Sequence, residues 1–418
     1  MSSTENEDQQ PLVPDNNRRL LRSCLAYAVF TSNLLFAGNL DQKARLVGSI
    51  DLSTKDQALL MAESKAVPPP VRLEFDGDNE LIVSSINDID TPDLALRQHR
   101  PVRPLELTAT FLALRANGVQ TDGQMTFSLG SSQEGFRALP LGGFIVGSHG
   151  IVRIYNSDRA EIHHSSIANI CGMKGDQDAD HTQISGLFLG SQVVGLLVLE
   201  GNRSESSDTS MKGHLAENNS SHYCWFSIPD LFPMFHIEDD RIPFIDGSAN
   251  SQAYVAGPPG YMSNFSPEGV SRAVPPQDCG TTQTKSITLL HYRNAFATLC
   301  TQSLQVHDAS NVHKVEISKS RIIAEITSEA WNAPIVAISN SIVHMGFTGR
   351  VPVISHRVEI VDYNSSKTTV LPMCSIDTEG PISTGGVFRV ALSESGKYAA
   401  LLCGAKVSIY DTNFANAK

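Results

Sequence analysis

The sequence lacks any apolar run long enough to cross a bilayer as a helix, which takes ~20 residues. Its nearest approach, Leu25–Ala37, is shorter and is interrupted by Thr31, Ser32 and Asn33. Arg18, Arg19 and Arg22 precede that stretch and imitate the charged region of a secretory signal. The polar, acidic first seventeen residues are not the prelude such a signal has. The segment therefore reads as two short strands around a Thr-Ser-Asn turn. Excess positive charge is also missing. With 32 Lys+Arg against 44 Asp+Glu, the formal charge is −12. A net acid repels phosphate backbones and anionic lipid, so no broad nucleic-acid or membrane-surface binding is expected.

Common catalytic signatures are absent as well. No two glycines lie two apart, which excludes a dinucleotide fingerprint and a kinase-type glycine loop. The one Gly-Lys pair, Gly396-Lys397, lacks the earlier glycine of a phosphate-binding loop. Cys-x-x-Cys, His-Glu-x-x-His and Gly-x-Ser-x-Gly do not occur. The cysteines, Cys24, Cys171, Cys224, Cys279, Cys300, Cys374 and Cys403, are odd in number and widely scattered. That pattern is neither a disulfide framework nor a zinc site, so reduced thiols and a cytoplasmic, alternatively nuclear, location are expected. Asn-x-Ser/Thr triplets stand at Asn202, Asn218, Asn219, Asn264 and Asn364, and carry meaning only in a secreted chain.

What is present is a core. Hydrophobic residues make up 41% of 418, enough for two or three domains or one large repetitive one. Helical periodicity is hard to find. Short apolar runs rich in Val, Ile, Leu and aromatics alternate instead with turn residues, a strand-and-turn texture. Leu25–Gly38, Val71–Ser85 and Val387–Gly404 each read as strand, polar turn, strand. The second turns at Asp76-Gly77-Asp78-Asn79 and the third at Ser393-Glu394-Ser395-Gly396, side chains that bond their own backbone plus a Gly free to take positive φ.

A second unit, apolar-x-apolar-x-Asp/Asn, appears at Val152–Asn156, Leu304–Asp308, Val358–Asp362 and Val407–Asp411. Alternation buries one strand face, and the terminal acid or amide starts a turn. The intervals between these termini, 152, 54 and 49 residues, fit one period near ~50, within the range of propeller repeats. Ala44–Asp51 and Gly195–Glu200 are weaker members of the series.

On these residues Val387–Thr412 resembles one blade of a WD-repeat β-propeller, with a Ser-x-x-Gly-Lys turn and a third strand ending in Tyr410-Asp411. Gly142–Asp158 resembles the second and third strands of another. The family's Trp-Asp ending is replaced by Tyr155-Asn156, His307-Asp308, Val361-Asp362 and Tyr410-Asp411, and its Gly-His opening is missing. The resemblance implies an all-β propeller of about seven four-stranded blades over residues 20–413. A disordered acidic tail (1–19) precedes it, and a short tail (414–418) follows. Two long flexible inserts, 202–221 and 247–284, interrupt it, the first Ser/Thr-rich and the second holding Gly257-Pro258-Pro259-Gly260 and Pro275-Pro276. Because Thr412–Lys418 is too polar for an outer strand, the last blade is expected to borrow one from the N-terminus, at Leu20–Phe30 or an immediate neighbour.

Candidate ligand sites are few. Asp176-Gln177-Asp178-Ala179-Asp180-His181 has alternating acids, but a calcium loop needs Gly where His181 stands and Glu where Leu187 stands. It reads as a solvated loop. His163 and His164, with His149 and His181 nearby, point to opposite faces of any regular strand and do not ligate together. Arg97, His99, Arg100 and Arg103 form a basic cluster without interleaved aromatics, read as a solvated loop. A phosphoinositide-binding propeller would show Phe-Arg-Arg-Gly, whereas this chain has only Arg18-Arg19. No catalytic, cofactor or metal residue is assigned. The function expected is a non-catalytic scaffold for protein-protein interaction, a complex subunit whose partners are other proteins. The alternatives are a hydrolase working in the central funnel, a phosphoinositide-binding trafficking or autophagy propeller, and a secreted or membrane-anchored propeller resting on Arg18–Ala37.

Overall fold

A computed structural model describes residues 42–52, 71–87, 105–129, 136–139, 142–172, 183–189, 194–200, 221–239, 247–249, 252–256, 262–266, 269–273, 279, 284–290, 292–308, 311–317, 323–344, 353–377 and 388–414. The chain divides into two units, Met1–Gln42 and Lys43–Lys418, and the second holds the architecture below. Among the described residues its strands form seven antiparallel sheets. Sheet I is Val71–Asp76, Glu80–Asn87, Leu105–Arg115 and Gly118–Leu129, and sheet II is Phe136–Ala138, Phe144–Ser148, Ile151–Tyr155 and Glu161–Ser166. Sheet III is Gln183–Leu189, Val194–Glu200, Ser221–Ser227 and Pro233–Asp239. Sheet IV is Gly247–Ala249, Gln252–Ala256, Met262–Ser266 and Gly269–Ala273. Sheet V is Thr284–Leu290, Ala295–Cys300, Ser303–His307 and Val312–Glu316. Sheet VI runs Ile323–Glu329, Ile335–His344, Val353–Asp362 and Lys367–Val370, with Cys374–Asp377 also paired to Val353–Asp362. Sheet VII is Phe388–Leu392, Tyr398–Cys403, Lys406–Asp411 and, from the far end of the chain, Arg45–Asp51.

The sheets close into a ring. First strands touch in succession from sheet I through II and III to IV, and again from V through VI and VII back to I, while the second strand of IV meets the first of V. No single core exists in such an arrangement. Apolar residues gather between neighbouring sheets: Ile82, Phe111, Phe136 and Phe144 between I and II, Ile145, Ile154, Cys224 and Phe226 between II and III. Val336, Val361, Leu304 and Val306 fill the space between V and VI, Val358, Ile360, Leu392 and Leu401 that between VI and VII, and Leu73, Leu81, Leu402 and Ile409 that between VII and I. A propeller sheet buries both faces only because it has two neighbours, which spreads the hydrophobic signal along the sequence.

The ~50-residue period is a period of third strands. Val152–Asn156, Leu304–Asp308, Val358–Asp362 and Val407–Asp411 all occupy that place in sheets II, V, VI and VII. Their terminal residues act as the sequence implies. Asn156 accepts from Ala160 N at 2.9 Å, Asp308 from Asn311 N at 2.7 Å, Asp362 from Asn364 N at 3.0 Å, and Asp411 from Asn413 N at 2.9 Å. In each case a side-chain oxygen satisfies a backbone donor at a turn. The two weaker members have other places. Gly195–Glu200 lies in a second strand, and Ala44–Asp51 contains the closing strand.

Three expectations need correction or extension. The outer strand of the last sheet comes from the N-terminal side, but it is Arg45–Asp51, paired with Lys406–Asp411 from Arg45↔Asp411 to Asp51↔Lys406. Residues 20–30 lie outside the described residues. The strand is harder to see because it bulges between Leu46 and Gly48 and leaves Leu46 exposed, which breaks its alternation. Residues 247–273, within an expected insert, carry all four strands of sheet IV. Those strands are short and rich in Gly, Ser and Ala, so they lack the apolar alternation that marks a strand. The insert 202–221 falls outside the described residues except for Ser221, which opens a strand. Finally, six of the seven cysteines are not thiols. Cys171–Cys224, Cys279–Cys300 and Cys374–Cys403 are disulfides, with Cα separations of 5.0, 5.6 and 5.8 Å. Their sequence separations of 53, 21 and 29 residues follow no spacing rule, because the fold rather than the local chain brings them together.

Candidate interaction surface

The turns between first and second strands of sheets VI, VII, I and II bond to one another in ring order. Asn332, in the turn of sheet VI, donates from its backbone N to Glu394 O at 2.9 Å and from Nδ2 to Glu394 Oε2 at 3.1 Å. In the turn of sheet VII, Glu394 N donates to Gly77 O at 3.4 Å, and Ser395 N donates to Asp78 Oδ1 at 3.0 Å. Asp76 of sheet I then accepts from Gly143 N of sheet II at 3.0 Å. Just inside, Glu74 takes Arg137 Nε at 2.8 Å and Ala138 N at 2.8 Å.

Local sequence builds each turn for this purpose. Gly77 and Gly396 hold positive φ of 64° and 70°, which L side chains adopt only at a cost. Gly396 also has no room: a Cβ there would stand 2.5 Å from Ile335 Cδ1 of the neighbouring sheet. Ser393 Oγ accepts from Tyr398 N at 3.1 Å, fixing the turn from within. Thr412 Oγ1 bonds Gly396 O at 2.6 Å and Lys397 O at 3.0 Å from below. At the outer side, Arg159 of sheet II reaches Glu80 Oε1 at 2.7 Å and Asp122 Oδ2 at 2.8 Å, its guanidinium 4.2 Å from the Phe111 ring centroid.

The resulting surface is acidic and its carboxyls are unequal. Burial pushes Glu394 up, helped by the nearby Asp78 and Asp76 charges and opposed by Asn332. Burial likewise raises Asp76 and Glu80, against the Gly143 hydrogen bond in one case and Arg159 in the other. Burial also works against ionised Asp78, yet hydrogen bonds from Ser395 and Ser393 and the Lys397 charge outweigh it and hold that carboxyl below the usual range.

Of the candidate ligand residues, His149, His163 and His164 are described, and they are not part of this surface. His163 and His164 lie on the exposed fourth strand of sheet II, opposite Ile154 and Arg153. His164 Nδ1 pairs with Glu161 at 2.9 Å, while His149, at φ 49° in a tight turn, meets Ser128 Oγ at 3.2 Å. Among the described residues no three His, Cys, Asp or Glu are placed to hold a metal ion. Asp176–His181, Arg97, His99, Arg100, Arg103 and Arg18-Arg19 lie outside the described residues. Sequence reasoning found both acidic turns but not their bonds to each other, since no motif encodes a contact between residues 317 positions apart.

No family model matches the chain, and no curated protein matches it. Among solved structures it is similar to the WD40 domain of Pan2 from Neurospora crassa, at 8% identity over 89% of this chain and 96% of that one, with TM-score 0.45. It is also similar to a chain of a mitotic checkpoint complex, at 11% identity over 98% of each chain and TM-score 0.42. The WD40 domain of SCAP from fission yeast follows, at 11% identity over 73% of this chain and 92% of that one, with TM-score 0.33. The internal strand order is what decides: antiparallel sheets in a ring, the last completed by an early strand. The fold is a WD-repeat-like β-propeller. In this propeller the linked first turns form one continuous rim around four neighbouring sheets.

Proposed function

We propose that this propeller is a non-catalytic protein-interaction platform, a subunit of a larger assembly. The observation that carries the reading is the rim, in which turns from four sheets are tied by backbone and side-chain hydrogen bonds. Surface loops held this way lose little freedom when a partner docks, and lost freedom is a main cost of association. The rim's carboxylates disfavour nucleic-acid backbones and anionic membranes as partners. A funnel hydrolase and a phosphoinositide-binding propeller are the competing readings.

Purification from the native source after mild crosslinking tests the proposal, alongside a Glu394→Lys variant that reverses charge on the rim. Stable co-purifying subunits that are lost from the variant, with its melting temperature within a few degrees, are the expected result. A lone monomer would overturn the platform and return attention to the funnel.

The cytoplasmic or nuclear location expected from scattered cysteines presupposed reduced thiols. We propose instead that the chain matures in an oxidising compartment. The support is three disulfides, of which Cys171–Cys224 and Cys374–Cys403 join residues of neighbouring-sheet cores. Structural disulfides persist outside the cytosol and nucleus and are rare within them.

A further inference from the structure

Asn364 begins the triplet Asn364-Ser365-Ser366, and its place in the fold is that of an acceptor for an N-linked glycan. The triplet lies in the turn between the third and fourth strands of sheet VI, Val353–Asp362 and Lys367–Val370. Asn364, Ser365 and Ser366 are all exposed. The turn is rooted from below: Tyr363 is buried, and its backbone N donates to Pro334 O at 2.9 Å. Asp362 organises it from the side, its Oδ1 accepting from Asn364 N at 3.0 Å and Ser365 N at 3.2 Å and its Oδ2 from Ser365 Oγ at 2.6 Å. The Asn364 backbone is thereby held while its carboxamide belongs to the exposed part of the turn.

Of the other acceptor asparagines only Asn264 lies within the described residues, and its setting differs. Asn264 lies within Met262–Ser266, a strand paired on both sides, opposite Tyr254 and Ser271. Asn202, Asn218 and Asn219 lie outside the described residues. The three disulfides supply the second, independent observation, since the environment that forms them is the one in which Asn-x-Ser/Thr triplets are modified.

We propose that Asn364 carries an N-linked glycan, an inference that rests on maturation in an oxidising compartment. In the transfer, the Asn364 carboxamide nitrogen attacks the anomeric carbon of a polyprenyl-diphosphate-linked oligosaccharide. A C–N bond forms, the C–O bond to the diphosphate breaks, and the amide proton leaves with the diphosphate. The glycan then covers the third-to-fourth-strand turn of sheet VI, at the same end of the sheet as its first turn, to whose Pro334 O this turn is bonded.

The test is a peptide map of the full chain from its native source, with thiols alkylated before reduction. Treatment with a glycan-cleaving amidase should convert Asn364 to Asp, and the six bridged cysteines should escape the first alkylation. In cells of that source, Asn364→Gln and Ser366→Ala should each lose one glycan from the native mass, whereas Ser366→Thr retains it. Intact bridges with unmodified Asn364 would overturn the site while leaving the compartment standing. Alkylated, unbridged cysteines would overturn the compartment and the site with it.

Discussion

The Cys171–Cys224 bridge allows a quantitative test of how much covalent linkage contributes to the ring. It joins residues 53 apart, both buried between sheets II and III. In the chain-entropy account, closing a loop of that size in the unfolded state removes ~14 cal/mol/K, or about 4 kcal/mol at 25 °C. The unit it serves spans 43–418. At ~2.1 cal/mol/K per residue its unfolding entropy is roughly 0.8 kcal/mol/K, so losing the bridge lowers Tm by ~5 °C. The perturbation is Cys171→Ala combined with Cys224→Ala. Because truncating two buried side chains also leaves a void, the variant and the native chain are both scanned by calorimetry, with and without reductant. In reductant neither has the bridge, so the difference there reports packing alone. The oxidised difference should exceed the reduced one by ~5 °C. Equal differences would refute the reasoning, because the bridge would then not constrain the unfolded chain. The same comparison for Cys374–Cys403 and Cys279–Cys300, with separations of 29 and 21, should give ~3.6 and ~3.3 kcal/mol.

Deleting Arg45–Leu52 removes the partner of Lys406–Asp411 and leaves an open sheet edge, so the product should be aggregated in size-exclusion chromatography. A soluble monomer would show that the ring does not need this strand. Gly396→Ala should cost at least ~1–2 kcal/mol in chemical denaturation, from left-handed backbone alone, with the clash against Ile335 adding to it. Glu394 has a folded-state pKa above its unfolded value, so its ionised form is penalised in the fold and stability is gained as pH falls through that raised pKa. Glu394→Gln should therefore raise Tm at pH 7 and lose the advantage below about pH 4, where the native carboxyl is protonated in both states. Asp78 has the opposite sign. Its lowered pKa contributes stability above the unfolded value that disappears as pH falls through the folded one, so Asp78→Asn should lower Tm at pH 7 and not at low pH.

Much of the fold was legible because propeller strands repeat a local pattern. The third strands of sheets II, V, VI and VII announced themselves through alternation and a terminal Asp or Asn, and the strand pairs at Val71–Ser85 and Val387–Gly404 were read in place. Sheet IV was not legible, because strands such as Gly247–Ala249 and Met262–Ser266 carry too little apolar content to alternate. The closing strand was anticipated in kind and missed in position, since one bulged residue shifts which side chains face the core. The rim was half visible. Asp76-Gly77-Asp78-Asn79 and Ser393-Glu394-Ser395-Gly396 read as turns, but that one would accept the other's amide depends on ring closure. Disulfide pairing was invisible for the same reason: cysteine spacing says nothing when partners are chosen by neighbouring sheets.

Ring closure also imposes a schedule on synthesis. Arg45 finds its partner Asp411 only after 366 further residues have been made. At ~5–20 residues per second, the strand waits roughly 20 to 70 s with its edge unpaired. Its composition suits the wait. Arg45 and Asp51 place a charge at each end, Gly48 interrupts the middle, and the bulge spoils a straight edge that other chains could extend. Charge and irregularity there suit the nascent chain as well as the finished one, in which Arg45–Asp51 is the outermost strand of sheet VII. Smoothing the strand, for example with Gly48→Val, would expose that hazard in the yield of soluble protein made at high translation rates, even before the clash of a side chain with Val119 is felt in the closed ring.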